Sequence, residues 1–356
     1  MKEESIKGRG AQKRVANRFF EHSHELRDDF LNYCDKEGDE AENNKTLYLD
    51  TFPKTIVNKV ESPDVGMGYS LNPYQGCEHG CVYCYARNSH EYWGYGAGLD
   101  FESRILVKKN AAQLLEQKLK SKNWKAVPIV LSGNTDCYQP IEKKLEITRS
   151  LLQLFLKYKH PVGIITKNAL IQRDLDLLKE LAKDNLIQVN ISITSLSEDT
   201  RRLLEPRTAT IKRRLETVEK LSAEGIPVRV MAAPIIPGIN SHEIIPLVKK
   251  VAQMGAKDVG YTVVRLNGAI AEIFEDWIRK TMPDRAEKVL HQIAACHGGT
   301  LNDSQFGRRM RGEGEFAEQI KKQITLARNK FIKDRGIPPL NTSLHEQYKC
   351  GQMSLF

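Results

Sequence analysis

The sequence predicts an α/β protein, a partial (β/α)6 barrel with an N-terminal extension and a helical C-terminal region. Three observations lead there. Short apolar, β-branched runs alternate with helix-length segments between about residues 65 and 266. The runs are apolar almost throughout, as in parallel strands covered on both faces. About six such units occupy some 200 residues, fewer than a closed eightfold barrel of roughly 250 residues needs.

The N-terminal extension, residues 1–64, shows no apolar pattern of its own. Gly8–Arg18 carries basic residues and no acid, and an acidic, Asn-containing stretch follows at Asp35–Asn44. The basic segment reads as an arm packed on the main domain; the other reading is an arm that grips phosphates. From residue 65 to 266 a short strand is expected near Tyr69, then strands at Val127–Leu131, Val162–Thr166, Ile187–Ile193, Val228–Ala233 and Val259–Val264. Helices fall between them at Ala111–Lys120, Glu142–Lys157, Asp174–Lys183, Ile211–Ala223 and Glu243–Met254. In the second helix Leu145, Leu151, Leu152 and Phe155 share roughly one face. Gly225-Ile-Pro227 stops a helix before the next strand. Residues 267–337 read as helical, with Phe274, Trp277 and Ile278 on one amphipathic helix, then Ala286–Ala295, a basic glycine-containing loop to Gly314, and a last helix over Phe316–Lys333. Residues 338–356 form a linker, opening on Pro338-Pro339, and a tail.

Composition sets the outer limits. The 356 residues carry a net charge of +9, compatible with a polyanionic partner and equally with a solvated Lys-rich surface. No apolar run approaches the ~20 residues that cross a bilayer, and the N-terminus lacks a secretory h-region, so a soluble cytoplasmic protein without a membrane partner is expected. Of seven cysteines, Cys34, Cys137, Cys296 and Cys350 are scattered, which suits a reducing compartment rather than a disulfide scaffold. The pairs His22/His24 and His291/His297 have no acidic or Cys partner in a clear motif and read as surface or packing residues.

The other three cysteines, Cys77, Cys81 and Cys84, stand at CxxxCxxC spacing in a segment with two glycines, Gly76 and Gly80. Thiolates that close can turn onto one metal centre. A zinc knuckle completed by His79 or a distant Cys is one reading, although zinc sites usually show a second ligand pair. A four-iron cluster with one iron left open is the other. The spacing, with aromatic Tyr83 before the third cysteine, resembles the CxxxCφC hallmark of the radical S-adenosylmethionine enzymes. That resemblance implies a [4Fe–4S] cluster held by Cys77, Cys81 and Cys84, S-adenosylmethionine on the open iron, and Tyr83 flanking the adenine.

Further along, Ser132-Gly-Asn-Thr-Asp136, Thr166-Lys167, Ser192-Ile-Thr194, Glu205-Pro206 with Arg214, and Ala233-Pro234 to Asn240 keep the order of segments in the photolyase-like group that includes spore photoproduct lyase. Over residues 65–265 the chain is similar to that bacterial group. The resemblance implies that Ser132, Asn134, Thr135 and Asp136 hold the methionyl ammonium, that Lys167 and Arg214 hold its carboxylate, and that Ser192 bonds the ribose. Thr135 and Ser192 read equally well as helix caps. Cys137 lies in the turn where the group places a hydrogen-donating cysteine, but follows Asp136 where the group's precedes it; a small buried residue is the plainer reading.

The implied reaction is reductive cleavage of S-adenosylmethionine to a 5′-deoxyadenosyl radical, fed by an electron donor such as flavodoxin or ferredoxin, with DNA or RNA as the substrate class. A protein or small-metabolite substrate is the alternative, and a zinc or iron–sulfur binding module without turnover a third. The tail Gln352-Met353-Ser-Leu355-Phe356 resembles the Gln-x-x-Leu-Phe peptide that binds the bacterial DNA sliding clamp; an apolar tail folded back on the domain is the other reading.

Overall fold

The apolar strands pair as their composition demands. The structure, a computed structural model, describes residues 6–19, 45–333 and 335–349. Strands β1 (Leu47–Thr51), β2 (Val57–Lys59), β3 (Tyr69–Leu71) and β4 (Tyr74–Gln75) come first, then α1 (Leu99–Ser103), β5 (Arg104–Lys108) and α2 (Ala111–Lys120). The repeating part follows as β6 (Ile129–Leu131), α3 (Glu142–Leu145), α4 (Ile147–Lys157), β7 (Val162–Thr166), α5 (Leu175–Lys183) and β8 (Ile187–Ser192). It continues through α6 (Glu198–Leu204), α7 (Ile211–Ala223), β9 (Val228–Ile235), α8 (Ile244–Gln253) and β10 (Asp258–Val263). Helices α9 (Ala269–Thr281), α10 (Ala286–Ala295), α11 (Gly314–Phe331) and α12 (His345–Tyr348) close the order.

The main sheet runs β10-β9-β8-β7-β6-β3-β2, and every pairing is parallel except β2 with β3. Six parallel strands with crossover helices make the partial barrel. Its edges, β10 and β2, do not pair with each other, so the sheet stays open. Leu71, Ile129, Leu131, Ile164, Val189 and Val230 are fully buried along it, as strands covered on both faces require.

Two departures have local causes. The helix expected over Glu142–Lys157 is two, because Glu146 takes a left-handed φ of 51°. The buried Glu142 carboxylate accepts Thr148 N–H at 3.1 Å and so starts α4 afresh. The boundary expected at 64/65 falls between two paired strands, β2 and β3. Residues 47–51 also belong to a sheet, β1-β5-β4, in which β1 lies parallel to β5. That pairing joins segments more than fifty residues apart; β5 carries the buried apolar run Ile105–Val107, but β1 is half-exposed and has none.

At the N-terminal ends of the strands the molecule is plugged. Trp124 Nε1 donates to His160 Nε2 at 3.0 Å, and His160 Nδ1 lies 2.9 Å from Pro161 O. His345 Nδ1 lies 2.8 Å from Tyr158 O, and its ring meets His160 edge-on at 4.7 Å. Lys349 Nζ donates to Lys122 O and Trp124 O, both at 2.7 Å. On the far side α9 and α10 pack Phe274, Trp277 and Ile293 against Cys81, Val82 and Tyr83. No helix among the described residues is long and apolar enough to cross a membrane.

Candidate active site around the cysteine loop

The three clustered cysteines lie between β4 and a 3-10 segment, Tyr85–Trp93. The loop turns on Gly76 (φ 79°) and Gly80 (φ 67°), where a side chain would be strained. A Cβ at Gly76 would meet Arg104 O at 2.7 Å, and one at Gly80 would meet Glu102 Oε2 at 2.8 Å. Cys77 N donates to Phe101 O at 2.8 Å, and Gln139 receives Glu78 N–H at 3.0 Å. Arg87, fully buried, donates from Nε to Cys81 O at 3.0 Å and from Nη1 to Ala97 O and Gly98 O, and pairs with Glu102 at 2.5 Å. A buried pair this well hydrogen-bonded fixes the loop rather than adding net stability.

The N-terminal arm joins this brace. Gly10 N and Ala11 N donate to the Glu102 carboxylate at 3.0 and 2.8 Å, and a Cβ at Gly10 would lie 1.7 Å from Gly80 O. Its cations pair with carboxylates: Lys13 with Glu272 at 2.6 Å, Arg14 with Asp100 at 2.5 Å, Arg18 with Glu91 at 3.2 Å. The arm packs on the domain, and its charges face protein.

Cys77 and Cys81 are buried and Cys84 half-buried. Burial pushes the Cys77 thiol well up, and Asp136, Cys81 and Cys84 push the same way. Burial raises Cys81 to about 12 against the pull of Lys167. Thiols held this high are poor free nucleophiles and become ligands only when a metal displaces the proton. No three His, Cys, Asp or Glu among the described residues are spaced for a single ion, a spacing a four-iron cluster several ångströms across does not need. His79 is not free to complete a zinc knuckle. Its Nδ1 lies 3.3 Å from Asp136 Oδ2 and its Nε2 3.5 Å from Asn168 Nδ2. Three soft thiols, with no fourth protein ligand among the described residues, fit a [4Fe–4S] cluster with one open iron.

The strand ends sort the expected cofactor residues into two groups. In the turn after β6, Ser132 (φ 71°) accepts Cys137 N–H at 2.6 Å and Thr135 donates to Tyr74 O at 2.6 Å. Asn134 donates to Ser89 Oγ at 2.9 Å and Gln75 Oε1 at 3.2 Å. Asp136 accepts Thr166 Oγ1 and Lys167 N, both at 2.8 Å. Burial would raise its carboxyl, but His79 and those donors bring it down to about 2. Arg214 departs most from expectation. Fully buried, it donates to Ala209 O, Ser192 O, Glu205 and Thr208, which takes four of the five N–H groups of a guanidinium and ties it to protein.

Lys167 and Ser192 form the second group. Among the described residues neither the Lys167 ammonium nor the Ser192 hydroxyl has a hydrogen-bond or ion-pair partner. Lys167 Nζ lies 5.9 Å from the centre of the Tyr83 ring. Burial works against its charge, but Cys81, Glu205 and Cys84 hold it above its ordinary value. Tyr83 donates to Glu205 and lies 3.3 Å from Thr194 Oγ1. Glu205 thus gathers Tyr83, Thr194 and Arg214; burial opposes its charge, and Arg214 and Lys167 bring it down to about 2. Asn240 ties the same corner, donating to Thr194 O at 2.8 Å and Pro234 O at 3.0 Å.

Cys137 lies elsewhere. It is fully buried in the apolar layer with Leu131, Leu151 and Leu152, and Thr148 of α4 donates to its carbonyl at 2.6 Å. Burial pushes its thiol well up. This is the surrounding of a packing residue. Residues that sequence reasoning passed over are Arg87, Glu102 and Gln139. Each acts through a partner distant in the chain, and no local spacing marks such pairs.

A model of the radical SAM superfamily matches residues 71–251. An uncharacterised protein of Mycobacterium bovis is 30% identical over 234 residues, 65% of this chain and 69% of that one. Spore photoproduct lyase complexed with dinucleoside spore photoproduct is similar in structure, with a TM-score of 0.60 and 17% identity, over 82% of this chain and 81% of that one. A doubly substituted form of that lyase, with bound AdoMet and the same dinucleoside, matches with a TM-score of 0.58 and 15% identity over 85% and 91%.

Proposed function

The chain belongs to the radical SAM superfamily, whose members use a [4Fe–4S] cluster and S-adenosylmethionine, and from that premise we propose that it acts on a nucleic-acid strand in DNA repair or modification. When bound, the cluster and S-adenosylmethionine supply reductive cleavage and a 5′-deoxyadenosyl radical that takes hydrogen from substrate. The chain's own residues do the positioning. Cys77, Cys81 and Cys84 hold the metal on a loop braced by Arg87 and Glu102. The unpartnered Lys167 ammonium is the group for the methionyl carboxylate, and the Ser192 hydroxyl the group for the ribose. Tyr83, fixed by Glu205, sets one wall against the adenine, and α9 and α10 exclude water behind it.

One observation carries the substrate class. The fold is shared over more than four-fifths of both chains with a lyase whose structure holds a dinucleoside photoproduct. The net charge of +9 suits a polyanion. The test is anaerobic reconstitution, reduction, and chromatography for 5′-deoxyadenosine with and without damaged or modified oligonucleotides. Nucleotide-dependent product supports the reading; 5′-deoxyadenosine formation that no oligonucleotide alters, with no altered base, sinks it in favour of a protein or metabolite substrate.

Two partners complete the proposal. A flavodoxin or ferredoxin is the electron source, tested by replacing dithionite with either. The segment Gln352, Met353, Leu355 and Phe356, outside the described residues, is the sliding-clamp peptide. Calorimetry of clamp against the whole chain and a chain ending at Gly351 decides it, and equal heats remove the clamp from the proposal.

A further inference from the structure

The open sheet ends at β2 and β10, and one seam bridges those two edges. Val263 N donates to Met310 O at 3.0 Å, so the 306–311 loop rides on the β10 edge. From that loop Arg309 reaches Asp64 Oδ2 at 2.5 Å and Ser62 Oγ at 2.6 Å, and Gly307 N reaches Asp64 Oδ1 at 2.6 Å, in the segment joining β2 to β3. Four arginines crowd this seam, and three are matched. Arg309 pairs with Asp64; Arg308 pairs with Asp303 at 2.5 Å and Glu313 at 3.1 Å; Arg311 donates to Tyr261 O at 3.1 Å and lies 4.1 Å over that ring.

The fourth, Arg265, stands two residues beyond β10, at the C-terminal ends of the strands, where the cysteine chamber opens. It is half-buried. Among the described residues its guanidinium has no hydrogen-bond or ion-pair partner. Burial and the neighbouring Arg309 both work against its charge, while Tyr85, Asp64 and Asp303 favour it. The two acids are already neutralised by Arg309 and Arg308, so Arg265 leaves the seam one positive charge in excess. A half-buried guanidinium without a partner is costly unless an anion completes it.

The surroundings say which anion. Tyr85 follows Cys84 directly; it is 52% exposed, and its hydroxyl reaches in to donate to Gly133 O at 2.5 Å. Phe306 on the seam is 56% exposed, with Arg309 4.3 Å from its ring centre. Arg265 is within electrostatic reach of Tyr85 and of Arg309, which carries the Phe306 ring, and an unmatched guanidinium sharing a seam with two exposed rings suits a backbone phosphate with bases stacked beside it. A separate cavity of about 580 Å³ beside α11 is less suited: its Arg308, Lys321 and Arg328 pair with Asp303, Glu318 and Asp258.

We propose that Arg265 is the subsite for a phosphodiester of the nucleic-acid strand entering the cysteine chamber, with Phe306 as its stacking face. The proposal rests on the nucleic-acid reading above, and its test keeps the two apart. A fluorescein-labelled single-stranded decanucleotide is titrated with the reconstituted protein by anisotropy across a potassium chloride series. The Arg265→Gln variant binds about tenfold more weakly at moderate salt, and its log–log salt slope is shallower by about 0.7, one contact's share on a single strand. Arg265→Lys recovers the slope but not the whole affinity, because the fork is lost. Lys249→Gln, which removes an exposed cation of α8, leaves the slope at the wild-type value. Equal slopes and affinities for wild type and Arg265→Gln overturn the subsite while the nucleic-acid reading stands. If wild type binds no oligonucleotide, thermal protection by inorganic phosphate over chloride at equal ionic strength decides. Protection of wild type and not of Arg265→Gln keeps the anion site and removes its nucleic-acid occupant; protection of neither removes both.

Discussion

The two ends of the barrel are built from opposite materials. At the N-terminal strand ends, Trp124, His160 and His345 form an apolar plug whose imidazoles are neutral: His160 accepts the indole N–H on one nitrogen and is driven down to about 3 by burial and by His345. At the C-terminal ends, buried charges stand in close order: Asp136, Glu205, Arg214, Lys167, and beyond them Arg265. One end is finished when the chain folds. The other holds two cations, Lys167 and Arg265, and the Ser192 hydroxyl, which no group among the described residues matches. The contrast separates groups that stabilise the fold from groups that await a ligand, and it follows the general placement of chemistry at the C-terminal ends of parallel strands.

The comparison breaks most completely at the cysteine loop. Cys81→Ala is expected to abolish both the iron–sulfur absorbance and 5′-deoxyadenosine formation while leaving far-ultraviolet dichroism native; retained cleavage would remove this loop from the chemistry. Next in size is Glu205→Gln, which leaves Arg214 buried without its countercharge and is expected to cost about 3–5 kcal/mol in urea unfolding. A loss under 1 kcal/mol would mean that the corner tolerates a bare guanidinium. Lys167→Met is expected to weaken S-adenosylmethionine binding by about 1.5–3 kcal/mol, the range for a hydrogen bond to a charged group, measured by equilibrium dialysis under nitrogen. Trp124→Phe at the opposite end sharpens the contrast. It is expected to cost roughly 1–3 kcal/mol of stability and to leave that binding unchanged.

Acid gives the most graded effect. His160 and His90, the latter brought down to about 4 by burial, stay neutral in the fold while the unfolded chain takes up protons near 6.5. Their contribution is fully present above that pH and lost as pH falls toward 4 and 3, at a limiting slope of about 1.4 kcal/mol per pH unit for each. Glu205 and Asp136, both depressed to about 2, contribute above their unfolded values and lose it only below about pH 4.5 and 3.8. Urea midpoints between pH 6.5 and 5 should therefore fall in wild type, fall less in His160→Gln, and fall as in wild type in Glu205→Gln. A flat profile over that interval contradicts the neutral assignment of the two imidazoles.

The barrel was legible because its strands are apolar without interruption and its helices alternate with them; Val162–Thr166, Ala111–Lys120 and Ile211–Ala223 have the bounds the pattern predicts. The sheet β1-β5-β4 was not, since short half-exposed strands such as Leu47–Thr51 carry no periodic signal and depend on a distant partner. At the site, the three cysteines could be read directly from their spacing. The strand-end residues could be placed but not sorted. Asn134, Asp136 and Arg214 have the chemistry of ligand groups, and only their partners reveal them as scaffold. Lys167 looks no different in sequence, and it is set apart by having none.

The arm that passes over Gly80 has a consequence for the order of assembly. Arg9, Gly10 and Ala11 are made well before Glu102, yet they dock on Glu102 and its backbone carbonyl. That docking must await the synthesis of some ninety further residues and the closing of the loop between them. The segment therefore settles only after Glu102 is in place, and until it does, the loop of Cys77, Cys81 and Cys84 lacks this cover over Gly80.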